Sequence, residues 1–181
     1  MKNLNSLFNI KSIVLSLSFT SFALANQVNV STTAELVQAA LNSKAGDTIW
    51  VASGEYELSG DLCTNDKFVN ETGRDCGLIW LGNSGTKENP VVISSYGEGD
   101  RAILKTDEKT EVFRLFDCSY VTISDLHIKA PNGGGIWIDT LNQTSEGIII
   151  DNVYFEDMQN YKVHSRDDNT NGAAVGRAAV M

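Results

Sequence analysis

Val121-Thr122-Ile123-Ser124-Asp125-Leu126-His127-Ile128 is followed, 27 residues on, by Ile148-Ile149-Ile150-Asp151-Asn152-Val153-Tyr154-Phe155. Apolar residues match at the first, third, sixth and eighth places, and the alternation changes phase at Ser124-Asp125 and at Asp151-Asn152 alike. A two-residue corner produces that phase change, because inward side chains resume beyond it while the corner residues point away or bond along a stack. Asp125 and Asn152 suit such a corner: short polar side chains tolerate left-handed backbone and can hydrogen-bond to their neighbours above and below. Val91-Val92-Ile93-Ser94-Ser95-Tyr96 fits the same frame at an offset of 30.

Outward from these segments, apolar runs at 49–51, 78–81, 91–93, 102–104, 112–116, 121–128, 135–138 and 147–155 are short and rich in Ile, Val, Trp and Phe. Gly, Asn, Asp and Ser clusters separate them, which is the signature of strands. An antiparallel sandwich could give such a series, but its two-residue hairpin signals are almost missing, with Asn132-Gly133 the single instance. Strand, corner, strand, loop and third strand, repeated, describe a coil that cannot bury its apolar side chains alone. The expected fold is therefore all-β, a parallel β-solenoid. One helix is expected ahead of it. Thr32-Thr33-Ala34-Glu35 fits a capping box, Leu36, Val37, Ala40 and Leu41 share one face, and Gly46 within Ala45-Gly46-Asp47 offers a left-handed stop.

Composition narrows the function. The 181 residues fit one domain, and 42 % hydrophobic with 20 % charged residues is ordinary for a folded chain. A net charge of -9 would repel phosphate backbones and anionic lipid surfaces, so nucleic acid is a poor partner. Residues 1–25 read as a secretory signal: Lys2 and Lys11 precede an apolar stretch over 13–24, and Ala23-Leu24-Ala25 supplies the small residues before a cut at Asn26. That stretch is too short to span a bilayer, which takes roughly 20 apolar residues, so no transmembrane segment is expected in the mature chain. Losing both lysines takes the net charge to -11. Residues 26–181 then form the coils, in a secreted or periplasmic protein. In an oxidising compartment Cys63 and Cys76 could close a loop of about 14 residues, worth roughly 3 kcal/mol. Cys118, in a strand-like run, reads as a buried free thiol.

Four segments carry a family resemblance. They are Thr33 to Leu41 leading into Ala45-Gly46-Asp47-Thr48-Ile49, then Ser53-Gly54-Glu55-Tyr56, then Gly85-Thr86-Lys87-Glu88-Asn89-Pro90-Val91-Val92-Ile93 with Val121 to Leu126. The chain resembles the pectin-lyase-like, right-handed parallel β-helix superfamily, and in particular the early coils of alginate-lyase-like and chondroitinase-B-like members. That resemblance implies an amphipathic helix over the first coil, a Pro-Gly-Asp-Thr-Ile-like turn in which Ala45 here replaces the proline, and a Gly-x-Tyr end to the first strand. It covers roughly 32–158 and implies an acidic polysaccharide as partner, with calcium as the cofactor to consider. Members usually have seven or more coils, so the chain reads as an N-terminal piece with an incomplete C-terminal side; end-to-end self-association is the alternative way to cover an open coil.

The resemblance also implies a substrate face along the first strand of each coil. Placing that strand at 78–81, 112–116 and 135–139 puts Ile79, Leu81, Phe113, Leu115, Ile136 and Ile138 inside and Trp80, Arg114 and Trp137 outside. At a spacing of about 4.8 Å these three form a ladder of two indoles for sugar rings and a guanidinium for a uronate carboxylate. The competing reading is that residues 60–77 fold over Trp80 and make the ladder ordinary packing. Lyase chemistry needs a base for the proton alpha to the carboxylate and a cation to neutralise that carboxylate. Asp139, Asp151, Glu156 and Asp157 offer oxygen ligands, and Lys162, His164 and Arg166 a base and a clamp, though a corner at Asp151-Asn152 and a solvated loop over 156–168 are the better reading of them. No catalytic residue carries over to a matching position. His127 reads as a surface histidine, and Asn70-Glu71-Thr72 and Asn142-Gln143-Thr144 match a glycosylation tripeptide common by chance. The functional expectation is a polysaccharide-lyase-like protein acting on or binding an acidic polysaccharide, with the catalytic coils absent; the rival is a non-enzymatic surface or adhesion module. Export of the chain from its host should give a mature N-terminus at Asn26 on intact-mass measurement, and a mass that retains residues 1–25 would remove the signal.

Overall fold

The computed structural model describes residues 26–59, 77–96, 100–140 and 144–158. The signal segment, the Cys63–Cys76 pair and Lys162, His164 and Arg166 lie outside them. Twelve strands are present among the described residues: β1 (Gln27–Val30), β2 (Thr48–Ala52), β3 (Glu55–Glu57), β4 (Ile79–Leu81), β5 (Val91–Tyr96), β6 (Ile103–Lys105), β7 (Glu111–Phe116), β8 (Val121–Ser124), β9 (His127–Lys129), β10 (Gly134–Asp139), β11 (Ile149–Asp151) and β12 (Tyr154–Glu156). One helix, α1 (Thr33–Leu41), lies between β1 and β2. The described residues are mostly β, built from parallel sheets with one short helix.

From β2 onward each strand pairs in parallel with the strand three later. The chain therefore visits three sheets in rotation, ordered β1-β2-β5-β8-β11, β3-β6-β9-β12 and β4-β7-β10. Ile123 pairs with Ile150 and Ile128 with Phe155, the offset of 27 expected from the repeat. Val91 pairs with Val121 and Ile93 with Ile123, the offset of 30. The inward rows are continuous: Ile49, Ile93 and Ile123 in one sheet, Tyr56, Leu104 and Ile128 in the second, Phe113 flanked by Ile79 and Ile136 in the third. All of these but Ile136 are buried. A fully buried Ile, Leu or Phe contributes about 1.5–3 kcal/mol, so stacking like on like is what stabilises each turn of chain.

The corners are built as the phase change predicted. Asp125 has φ 56° and Asn152 φ 50°, both left-handed, and Leu126 beyond the first is fully buried. Their side chains bond up and down the stack. Asn152 Nδ2 donates to Asp125 Oδ1 at 2.7 Å, Ser94 Oγ to Asp125 Oδ2 at 3.2 Å, and Ser124 Oγ to Ser94 Oγ at 3.0 Å. Arg101 Nη2 adds a 2.5 Å bond to Asn152 Oδ1.

The capping box forms as expected: Glu35 N–H donates to Thr32 Oγ1 at 3.2 Å and Glu35 Oε2 accepts from Thr32 N–H at 3.1 Å. Leu36, Val37 and Ala40 are buried, and α1 packs against β1, β2 and β4 as a lid on the first turn of chain. Its C-terminus differs from the expectation. Asn42 caps the helix by donating its backbone N–H and its Nδ2 to the Gln38 carbonyl, at 3.1 and 2.9 Å, and the Ser43 N–H donates to the Ala40 carbonyl, while Gly46, at φ 89°, turns the chain into β2 and donates to Asn89 O at 3.0 Å. Ile138 also departs from its predicted inward burial. Leu81 and Leu115 in its row are fully buried, but Ile138 is 48 % exposed because β10 is the outer strand of its sheet among the described residues.

Left-handed backbone costs an L-residue other than glycine roughly 1–2 kcal/mol. Asp125→Ala should therefore lower stability by about 1 kcal/mol more than Asp125→Gly, a melting-temperature gap of roughly 2–8 °C. Equal melting temperatures for the two variants would show that the left-handed backbone at Asp125 carries no such cost.

Candidate functional site

The sheet β4-β7-β10 brings the predicted ladder together. Arg114 is the register partner of Trp80 on one side and of Trp137 on the other, so the three residues occupy one row across three strands. Arg114 Cζ lies 4.9 Å from the Trp137 ring centroid, within cation–π range. Two glycines make room at the β4 end of the row. Gly77, at φ 67°, sits where a Cβ would press on the Arg114 Cβ, and a side chain on Gly82 would overlap the Trp80 indole. The indole therefore lies along its own strand, over the Gly82 backbone.

Arg114 differs from its expected outward exposure: it is only 4 % exposed. Among the described residues its charge is met by Glu111 Oε2 at 3.3 Å and Asp139 Oδ2 at 3.6 Å. A guanidinium so withdrawn from water needs such partners, since burying an unpaired charge is far more costly than the pair. Asp139 Oδ1 also accepts from the Thr140 N–H at 3.0 Å, which ties that carboxylate to the end of its own strand. The sequence pattern located the row but missed Glu111, and gave Asp139 only as an oxygen ligand for a cation rather than as a partner of Arg114. Glu111 begins the strand that carries Arg114, three residues before it, and Asp139 follows Trp137 by two, on the same side of its strand. That period of two was the available signal for Asp139.

The outer face of β3-β6-β9-β12 carries a second charged array. Lys105 bridges Glu55 and Glu57, each at 2.7 Å, and Lys129 bridges Glu156 at 2.9 Å and Asp157 at 3.2 Å. These hydrogen bonds push both lysine amines above their ordinary range. Glu156 is held below the usual carboxylate range, first by Lys129 and then by His127, whose Nε2 lies 2.7 Å from Glu156 Oε2. The His127 ring meets the Tyr154 ring edge-on at 4.8 Å. His127 is thus packed into the array rather than standing alone on the surface, and the 27-residue repeat, which sets His127 over Tyr154, already contained that neighbour. The loosely grouped acids Asp139, Asp151, Glu156 and Asp157 are not drawn into one site: among the described residues no group of three or more His, Cys, Asp or Glu is placed to hold a metal ion.

No family model matches the chain, and no curated protein matches it. Among solved structures, the crystal structure of an alginate lyase from Paenibacillus sp. str. FPU-7 is similar, with a TM-score of 0.46 and 20 % identity over 71 % of this chain and 44 % of that one. The chain spans less than half the length of that structure. Among the described residues no helix is long and apolar enough to cross a membrane.

Cys118 is a free, buried thiol, and burial pushes its pKa up to about 11. A thiol that keeps its proton is a poor nucleophile. Because the folded thiol holds that proton more tightly than the unfolded one, its contribution to stability is complete below the unfolded value and lost as pH rises toward about 11. At pH 8 a disulfide reagent such as DTNB should label native wild type no more than Cys118→Ser, and label it by one additional thiol in guanidinium. Native labelling that vanishes in Cys118→Ser would make Cys118 accessible.

Proposed function

We propose that this chain forms the N-terminal coils of a right-handed parallel β-helix of the pectin-lyase-like kind, in a secreted protein of polysaccharide-lyase type. Its part in that protein is to bind an acidic polysaccharide along the outer face of β4-β7-β10. The observation that carries this reading is the register row of Trp80, Arg114 and Trp137. Indoles flanking a guanidinium at strand spacing offer apolar faces for successive sugar rings and a cation for the carboxylates between them. The right-handed sense is supported by the physics of parallel crossovers, which take that hand in about 98 % of cases. Elimination needs a base and a neutralising cation on the same uronate, and in this reading those residues belong to coils outside this chain.

A second reading is favoured by the burial of Arg114 between Glu111 and Asp139. There the row is internal bracing, and the solenoid is a stiff spacer in a surface or adhesion protein. One experiment separates the two. Binding of alginate, polygalacturonate and chondroitin sulfate is measured by affinity electrophoresis for wild type and for the double variant Trp80→Ala with Trp137→Ala. Stacking worth about 0.5–1.5 kcal/mol per ring predicts roughly tenfold weaker binding in the double variant. The absorbance of an unsaturated uronate product should not rise with this chain alone. Retained binding in a folded double variant, or no binding of any of the three polymers by wild type, favours the spacer.

A further inference from the structure

The two carboxylates at Arg114 are held differently, and the difference points to how a substrate would enter. Glu111 reaches Arg114 Nη2 from the same strand, with a side chain 11 % exposed. Asp139 approaches Nη1 from the neighbouring strand, is the more exposed of the two at 15 %, and has its other oxygen tied to the Thr140 N–H. That tether leaves Asp139 Oδ2 3.6 Å from Nη1. A charge-assisted N–H···O bond is at its best near 2.7–2.9 Å, so the Asp139 pair is Coulombic and falls short of a good hydrogen bond. Trp137, two residues earlier on the same strand and half-buried, offers its ring beside the same guanidinium.

We infer that Asp139 is a resident stand-in for the substrate carboxylate: it neutralises Arg114 in the empty protein and is displaced when a uronate stacked on Trp137 brings its own carboxylate to Nη1. The inference rests on the glycan-binding reading above and adds to it a residue that sets the preference for charged over uncharged sugars. An exchange of this kind keeps the buried guanidinium paired at every stage, so it is never left as a bare charge. It also makes Asp139 a competitor of the ligand, which is the opposite of what a binding residue would be. Removing its charge should therefore tighten binding of acidic polymers, whereas removing a binding residue weakens it.

The test compares wild type and Asp139→Asn, which keeps the size and the Thr140 contact, for affinity toward alginate and polygalacturonate and toward the same polymers with their carboxyls reduced to alcohols. At 3.6 Å, beyond a good hydrogen bond, the Asp139 pair predicts roughly two- to fivefold tighter binding of the acidic polymers by Asp139→Asn and no change toward the reduced ones. Circular dichroism and melting of both proteins establish that the variant is folded. Should that substitution unfold the chain, Asp139→Ser, smaller and able to accept from the same N–H, takes its place with the same expectation. Wild type that binds the acidic polymers while the folded variant binds them equally or more weakly overturns the inference and leaves the glycan reading standing. Wild type that binds neither set of polymers overturns both.

Discussion

Register between successive turns of chain is the constraint on which everything else depends. In a parallel sheet every inner strand hydrogen-bonds to one neighbour on each side, so a turn of chain is satisfied only if the next lies directly over it. A slip by one residue would exchange inward and outward faces in all three sheets at once. The inward rows resist that slip because they stack like with like, Ile49 on Ile93 on Ile123, and Tyr56 on Leu104 on Ile128. The corners resist it again. Asp125 bonds to Ser94 in the turn before and to Asn152 in the turn after, contacts that exist only in one register.

The same constraint creates the candidate site. Trp80, Arg114 and Trp137 are distant in sequence, and nothing but strand register aligns them. Once aligned, a guanidinium between aromatic neighbours loses most of its water, and Glu111 and Asp139 supply the counter-charge. The charged array on β3-β6-β9-β12 arises in the same way but is compensated differently. Its lysines each bridge two carboxylates close to solvent, where individual pairs contribute little and the row as a whole defines spacing.

How far the sequence could be read follows from which features repeat. Apart from β3, whose Glu55-Tyr56-Glu57 has a single apolar residue, the strands from Thr48 on were legible, as were the offsets of 27 and 30 and the left-handed corners, because each is a pattern recurring over several turns, and the capping box of α1 because it is a local motif with its own chemistry. The end of α1 was not, since the eye goes to Gly46 while the helix already stops at Asn42, whose Nδ2 and backbone N–H both donate to the Gln38 carbonyl. Burial of Arg114 was not either. An alternating strand marks which side a residue faces and says nothing of what gathers over that side, so an outward arginine and an enclosed one look alike. The exposure of Ile138 fails for a related reason: its pattern is that of Leu81 and Leu115, and only its place on the outermost described strand separates it from them.

The helix lid gives the molecule a polarity that its strands alone lack. With Leu36, Val37 and Ala40 seated over the first turn, α1 covers that end of the core, and the later layers are added on the other, in the order in which the chain is made. A polypeptide emerging from a ribosome or a translocation pore would thus always find its template complete before its own layer arrives, and would be spared the long wait for a distant partner that slows most parallel sheets.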